Sequence, residues 1–184
     1  MVKPMSVTQP SVIRSLRAGD DLSALTSLIH AAYAPQALKG LRYWGTHQSV
    51  AVTEKRFAAG HGLVAELEER YVGTITVRPP QPESPVAIYR DPHTWTIGQY
   101  AVDPTFKGRG LGRALHDAAL RYAIVQGARS MALDTAAPAE PLISMYRAWG
   151  YEVVGEVDWR PHTNFLSIVM CKALAERESK PFAP

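Results

Sequence analysis

Between Val102 and Ala114 the chain reads Val102-Asp103-Pro104-Thr105-Phe106-Lys107-Gly108-Arg109-Gly110-Leu111-Gly112-Arg113-Ala114, and no other stretch restricts the fold as much. An apolar segment stops at Asp103-Pro104, three alternating glycines follow, and a helix-periodic stretch begins at Leu111. A strand therefore hands over to a helix through a tight turn, as in α/β sheets. Glycine amides admit close approach of a ligand, and the first-turn N–H groups of a helix have no internal partner. Together with the positive end of the helix dipole and the side chains of Lys107, Arg109 and Arg113, the turn favours a phosphate. The alternative is a glycine-rich turn that only packs a helix on a sheet. A dinucleotide fingerprint needs G-x-G-x-x-G or a final Ala. It fits in neither frame, because the frame from Gly108 ends on Arg113 and that from Gly110 on Leu115.

Periodicity organises the rest of the chain. Val12 to Arg17 reads as a first strand, and Asp20 or Asp21 caps a helix carrying Leu22, Leu25, Leu28, Ile29 and Ala32 that Pro35 is expected to stop. Thr53 to Ala59 reads as a short second helix, and Leu63 to Leu67 with Tyr71 to Val77 as a hairpin. The segment from Arg78 to Pro92 holds five prolines and reads as a long loop, followed by a strand from Thr94 to Val102. Leu111, Ala114, Leu115, Ala118, Ala119, Tyr122 and Ala123 mark one helix face, closed by Gly127. Met131 to Thr135 is a strand, Leu142, Met145, Tyr146 and Trp149 mark a helix ended by Gly150, and Tyr151 to Val157 and Phe165 to Cys171 are closing strands. The alternation predicts one domain over 12–174 with a mixed α/β sheet. It leaves an N-terminal extension over 1–11 and a flexible tail over 175–184.

Composition removes several function classes. Of 184 residues, 46% are hydrophobic and 20% charged, enough for a sizeable core. The net charge of +3 is scattered apart from the cluster at Lys107, Arg109 and Arg113, so a nucleic-acid partner is not expected. No apolar run approaches the roughly 18 residues of a membrane span, and Met1 to Pro10 lacks the apolar core of a signal peptide. A cytoplasmic protein without membrane partners is the expectation, as a monomer or homodimer. Cys171 is the single cysteine and, in a late apolar strand, reads as a buried core thiol. The six histidines show no ligand spacing, so no metal is expected.

On these motifs the sequence resembles the GCN5-related N-acetyltransferases. Lys107-Gly108-Arg109-Gly110-Leu111-Gly112 is similar to their acetyl-CoA signature, Gln/Arg-x-x-Gly-x-Gly/Ala, with Lys107 standing for the usual Gln or Arg. Ile97 to Pro104 looks like the family's fourth strand, and Met145-Tyr146-Arg147-Ala148-Trp149-Gly150-Tyr151 like its Leu-Tyr-x-x-x-Gly-Phe element. The resemblance covers about Val12 to Leu174. It implies an N-acetyltransferase domain over 12–174, with a mixed, mostly antiparallel sheet of about seven strands flanked by about four helices and splayed between strands four and five. Acetyl-CoA would lie in that wedge as cosubstrate. Backbone groups of Ala101 and Val102 would pair with its pantetheine, and the segment Lys107, Gly108, Arg109, Gly110, Leu111, Gly112 and Arg113 would hold its pyrophosphate. An amine would attack the thioester directly, without an acyl-enzyme.

Tyr146 matches the family tyrosine that protonates the departing thiolate, a task a neutral phenol can perform at pH 7. Its helical spacing equally fits a core aromatic. Many relatives carry a Glu on the fourth strand, but Thr94 to Val102 has no carboxylate. Deprotonation is then expected to use water, or the amine to arrive neutral, with His93 and His47 as candidates by residue type alone. Tyr33, Tyr43 and Trp44 are the expected acceptor wall, extended by Arg42, His47 and Trp95, while Arg42-Tyr43-Trp44 equally fits a segment that only anchors its loop onto the domain. The acceptor itself, whether small amine, amino acid or protein amine, is open. A non-catalytic sensor that keeps the glycine nest and binds CoA or acyl-CoA is the alternative.

Overall fold

The computed structural model describes residues 11–174, so the tail and, apart from Ser11, the N-terminal extension lie outside the described residues. The elements run β1 (Val12–Ser15), α1 (Leu22–Leu38), α2 (Val50–Ala58), β2 (His61–Leu67), β3 (Arg70–Arg78), β4 (Thr94–Val102), α3 (Leu111–Val125), β5 (Ser130–Ala136), α4 (Glu140–Ala148), β6 (Glu152–Asp158) and β7 (Leu166–Ala173). They form a single seven-stranded sheet in the order β1-β2-β3-β4-β5-β7-β6. Every neighbouring pair is antiparallel except β4 and β5, which are parallel. The mixed, mostly antiparallel sheet with four α-helices is as the sequence leads one to expect.

Side-chain alternation sorts the helices onto two faces. In β2, Leu63 and Ala65 join the core under α3 and α4, which supply Leu115, Ala119, Ile143 and Tyr146. Val64, between them, points the other way and packs with Leu25 and Leu28 of α1 and Phe57 of α2. Gly73 of β3 lets α3 sit close, since a Cβ there would fall 2.6 Å from Leu115 Cδ1.

Local chemistry accounts for the element ends, including two departures from expectation. Asp21 caps α1 by accepting from the N–H groups of Ser23 and Ala24. Pro35 does not stop that helix, which runs on to Leu38. A proline removes only its own bond to the carbonyl four residues back. That carbonyl belongs to Ala31, an exposed residue, so water can satisfy it. The second helix starts at Val50, earlier than its apolar spacing predicts, because Ser49 Oγ accepts from Val52 N–H. Between β2 and β3 the two-residue turn Glu68-Glu69 has φ of 48° and 61°, the left-handed pair of a type I′ hairpin.

Candidate active site

The sheet opens where the parallel pair stops. β4 and β5 are paired only at Thr94–Ser130, Trp95–Met131 and Thr96–Ala132. From Ile97 to Val102 the β5-facing edge of β4 has no strand partner, so its N–H and C=O groups are free to pair with an extended ligand. Ala101 and Val102 stand on this edge. The opposite edge carries a bulge: Thr76 pairs with Gly98 while Thr74 pairs with Ala101, leaving one extra residue in β4. Gln99 absorbs it at φ 46°, a conformation L-residues adopt at a cost. Its buried amide is held in place, accepting from Gln48 Nε2 at 2.8 Å and donating to Thr76 Oγ1 at 3.2 Å.

Beyond β4 the chain turns through Pro104–Phe106 into the glycines. Gly108 and Gly110 have φ of 75° and 80°, and nothing lies within 4 Å of where their Cβ atoms would stand. Gly110 is the N-cap of the fifteen-residue α3 and offers no side-chain cap, so the N–H groups of Leu111, Gly112 and Arg113 remain free for a ligand. The Leu111 side chain is buried in the core, leaving only its backbone for binding. Lys107 and Arg109 are exposed, while Arg113 bonds Asp117 at 2.9 Å and lies over Trp149. An open cradle, free amides and three cations fit a pyrophosphate.

On the α1 and α2 side of the split lies a cavity of about 870 Å³. Tyr33, Tyr43, Trp44 and Tyr146 all line it. Gly45 lets the loop bearing Trp44 close on α1, since a Cβ there would fall 2.5 Å from the Tyr33 ring. Tyr43 packs tilted between Tyr33 and Phe165, and Trp44 stacks on His162 at 4.6 Å. The glycine segment and the Ala101–Val102 edge do not line this cavity, but Tyr100 links them to it: it lines the cavity, and its hydroxyl would stand 2.9 Å from a Cβ on Gly112.

Tyr146 is 8% exposed and meets Trp149 and Tyr151 edge-on at 5.8 and 5.7 Å. Burial pushes its phenol well above 10, so it is fully protonated at neutral pH. Its hydroxyl has no hydrogen-bond partner among the described residues. Behind it, His116 is wholly buried, with Nε2 2.8 Å from Tyr151 Oη; burial pushes its pKa down to about 4, so the ring is neutral.

Other expectations separate. Arg42 anchors its loop, its N–H donating to Asn164 Oδ1 and its guanidinium to the Pro161 carbonyl. Trp95 packs with Tyr122 in the core, and neither of the exposed His47 and His93 lines the cavity, although His47 stacks on Trp44. Cys171 is only partly buried and does not line the cavity. The sequence reading missed five charged residues that do line it: Lys55 and Arg56 of α2, Arg78 of β3, Glu83 of the proline-rich loop and Asp134 of β5. Asp134 accepts from Tyr89 Oη and from Trp159 Nε1, each at 2.9 Å. A lone carboxylate inside the apolar run Met131–Thr135 was its readable signal.

A family model described as acetyltransferase (GNAT) family matches residues 27–151. The chain is 31% identical over 142 residues to S-(2-succino)cysteine N-acetyltransferase of Bacillus subtilis, covering 75% of this chain and 82% of that protein. It is 26% identical over 166 residues to human N-acetylaspartate synthetase, covering 82% of this chain but only 50% of that protein. Among solved structures, a GNAT family acetyltransferase from Elizabethkingia anophelis with acetyl-CoA bound matches with a TM-score of 0.64 at 14% identity, over 90% of this chain and 99% of the other. At that identity the likeness speaks to the fold.

Proposed function

The chain belongs to the GNAT family and is an N-acetyltransferase; on that premise we propose that it moves an acetyl group from acetyl-CoA directly onto the amine of a small acceptor seated in the cavity. The observation that carries this reading is the split between β4 and β5, with an unpaired strand edge leading to the glycine cradle and an aromatic cavity across it. The two relatives are named for acetylating S-(2-succino)cysteine and for making N-acetylaspartate, which supports an amino-acid-like primary amine as the acceptor class. The need for acetyl-CoA, which is abundant in the cytoplasm, supports a cytoplasmic setting for the reaction. No described helix is long and apolar enough to cross a membrane.

Acetyl-CoA, when bound, supplies the thioester whose C–S bond breaks as the C–N bond forms. Backbone groups of Ala101 and Val102 align it as an added strand, and the amides of Gly108 to Arg113 hold its pyrophosphate, with Lys107 and Arg109 adding charge. Tyr33, Tyr43 and Trp44 enclose the acceptor and exclude water. Tyr146, kept neutral by its burial, donates a hydrogen bond toward the leaving sulfur. The amine attacks in its neutral form, and the proton its nitrogen loses after attack passes to solvent, which balances the proton taken up by the departing thiolate.

The test is a panel of primary amines, amino acids included, offered with acetyl-CoA while thiol release and N-acetyl product are followed. Turnover of at least one amine is expected. Acetyl-CoA binding with no thiol release above hydrolysis on any amine would replace the enzyme by a CoA sensor.

A further inference from the structure

Two arginines of the cavity have no anionic partner. Arg56 reaches from α2 to β4, its Nη2 lying 3.7 Å from where a Cβ on Gly98 would stand. Arg78 ends β3 opposite Thr96, the last β4 residue paired with β5. Both guanidinium groups therefore stand where the sheet begins to split. Arg56 donates to the neutral Gln48 Oε1 at 2.5 Å. Arg78 makes no side-chain hydrogen bond among the described residues, and its Nε is buried without a partner. Neither is in a salt bridge among the described residues.

Charge accounting points the same way. Lys55 and Glu83 are both exposed lining residues, so their charges cancel at the mouth. Inside, Asp134 offers one negative charge against two positive ones, and both its oxygens already accept from Tyr89 and Trp159. Burial lowers the pKa of each arginine, and their mutual repulsion lowers that of Arg56 further. A guanidinium does not deprotonate in a protein, so the excess charge persists until an anion enters. A planar fork of donors matches a carboxylate.

We propose that Arg56 and Arg78 form a subsite for a carboxylate of the acceptor, which makes the acceptor an amine carrying at least one carboxylate; this rests on the acetyl-transfer reading above. The arginines hold the acid group at the start of the split and direct the amine along it toward Tyr146.

Two measurements test the subsite. In the first, succinate and its diamide are offered at millimolar concentration to wild type, Arg56→Gln and Arg78→Gln, and binding is followed by thermal shift and ligand-observed NMR. Succinate binds wild type, the diamide does not, and each substitution weakens succinate by about 10-fold or more. Arg78→Lys, which keeps the charge but not the fork, weakens it less than Arg78→Gln and guards against a folding defect. In the second, each amino acid of the amine panel is paired with its carboxamide. The carboxylate member is preferred in kcat/KM by about 10- to 100-fold, and the Gln variants erase the preference through KM while acetyl-CoA affinity is unchanged. No succinate binding to wild type, binding unaltered in both Gln variants, or equal use of carboxylate and carboxamide would overturn the subsite. Failure of every amine to release thiol would instead overturn the acetyl-transfer reading, and the succinate arm would still decide the subsite.

Discussion

Replacing Gly110 separates the phosphate-binding role of the glycine turn from its structural one. Gly110 has φ 80° and open space beyond its absent Cβ, so Gly110→Ala meets no clash. It pays only the left-handed conformation, about 1 to 2 kcal/mol, which lowers Tm by a few degrees in a chain of this size. Gly110→Asp carries a smaller strain, since aspartate tolerates that conformation, and at the N-cap of α3 its carboxylate favours the helix. Its fold should survive at least as well as that of the alanine variant. Its effect on binding is different. A carboxylate about 5 Å from a phosphate charge costs about 1 to 3 kcal/mol between fully hydrated and surface-like dielectrics, or roughly 5- to 150-fold in affinity. Calorimetric titration of acetyl-CoA into the three proteins, with Tm recorded in parallel, reads this directly. Gly110→Asp should bind more weakly than Gly110→Ala by about fivefold or more, and salt should narrow the gap by screening it. Wild-type affinity in a folded Gly110→Asp protein, or equal losses for both variants, would refute the assignment of the pyrophosphate to this turn.

Tyr146→Phe keeps the ring packed against Trp149 and Tyr151 and removes the donor; kcat should fall about 10²-fold or more with acetyl-CoA affinity near wild type. An unchanged kcat with chemistry rate-limiting returns Tyr146 to a packing role. His116 has a folded pKa of about 4 against 6.5 when unfolded, so below pH 6.5 the unfolded chain binds the extra proton. The stability this confers is complete above pH 6.5 and is lost as pH falls toward 4, about 1 kcal/mol of it between pH 7.5 and 5.5. Urea melts at those two pH values should show that slope in wild type and its reduction in His116→Gln; equal slopes contradict it. In the hairpin turn, Glu68→Asn with Glu69→Gly relieves two left-handed glutamates and should raise stability by about 1 kcal/mol, a Tm gain of a few degrees, whereas a loss would show that the turn is not strained.

The order of strands and helices was legible because Gly108, Gly110 and Gly112 announce a strand-to-helix turn and the α3 stripe through Leu115, Ala119 and Ala123 is strictly periodic. Pro35 misled because a proline near a helix end forfeits one bond, which solvent at Ala31 can replace. Within the site, Tyr33, Tyr43, Trp44 and Tyr146 were readable as an aromatic concentration beside a recognisable motif. Arg56 and Arg78 were not, since an arginine on a short surface-like helix and one at a strand end look solvated in one dimension. They come together only where the fold brings α2 and the end of β3 to one cavity, a long-range consequence of the chain's path. Gln99 was equally silent, because its strained conformation is imposed by the bulge between β3 and β4.

Direct transfer is tested most plainly by quenching a reaction of enzyme, acetyl-CoA and a turned-over amine, then measuring thiol, N-acetyl product and intact protein mass in the same samples. One N-acetyl amine should appear for each thiol from the first turnover onward, and the protein mass should stay that of the unmodified chain throughout. A burst of thiol ahead of product, matched by a protein heavier by one acetyl group, would contradict the account and require a nucleophile in the chain.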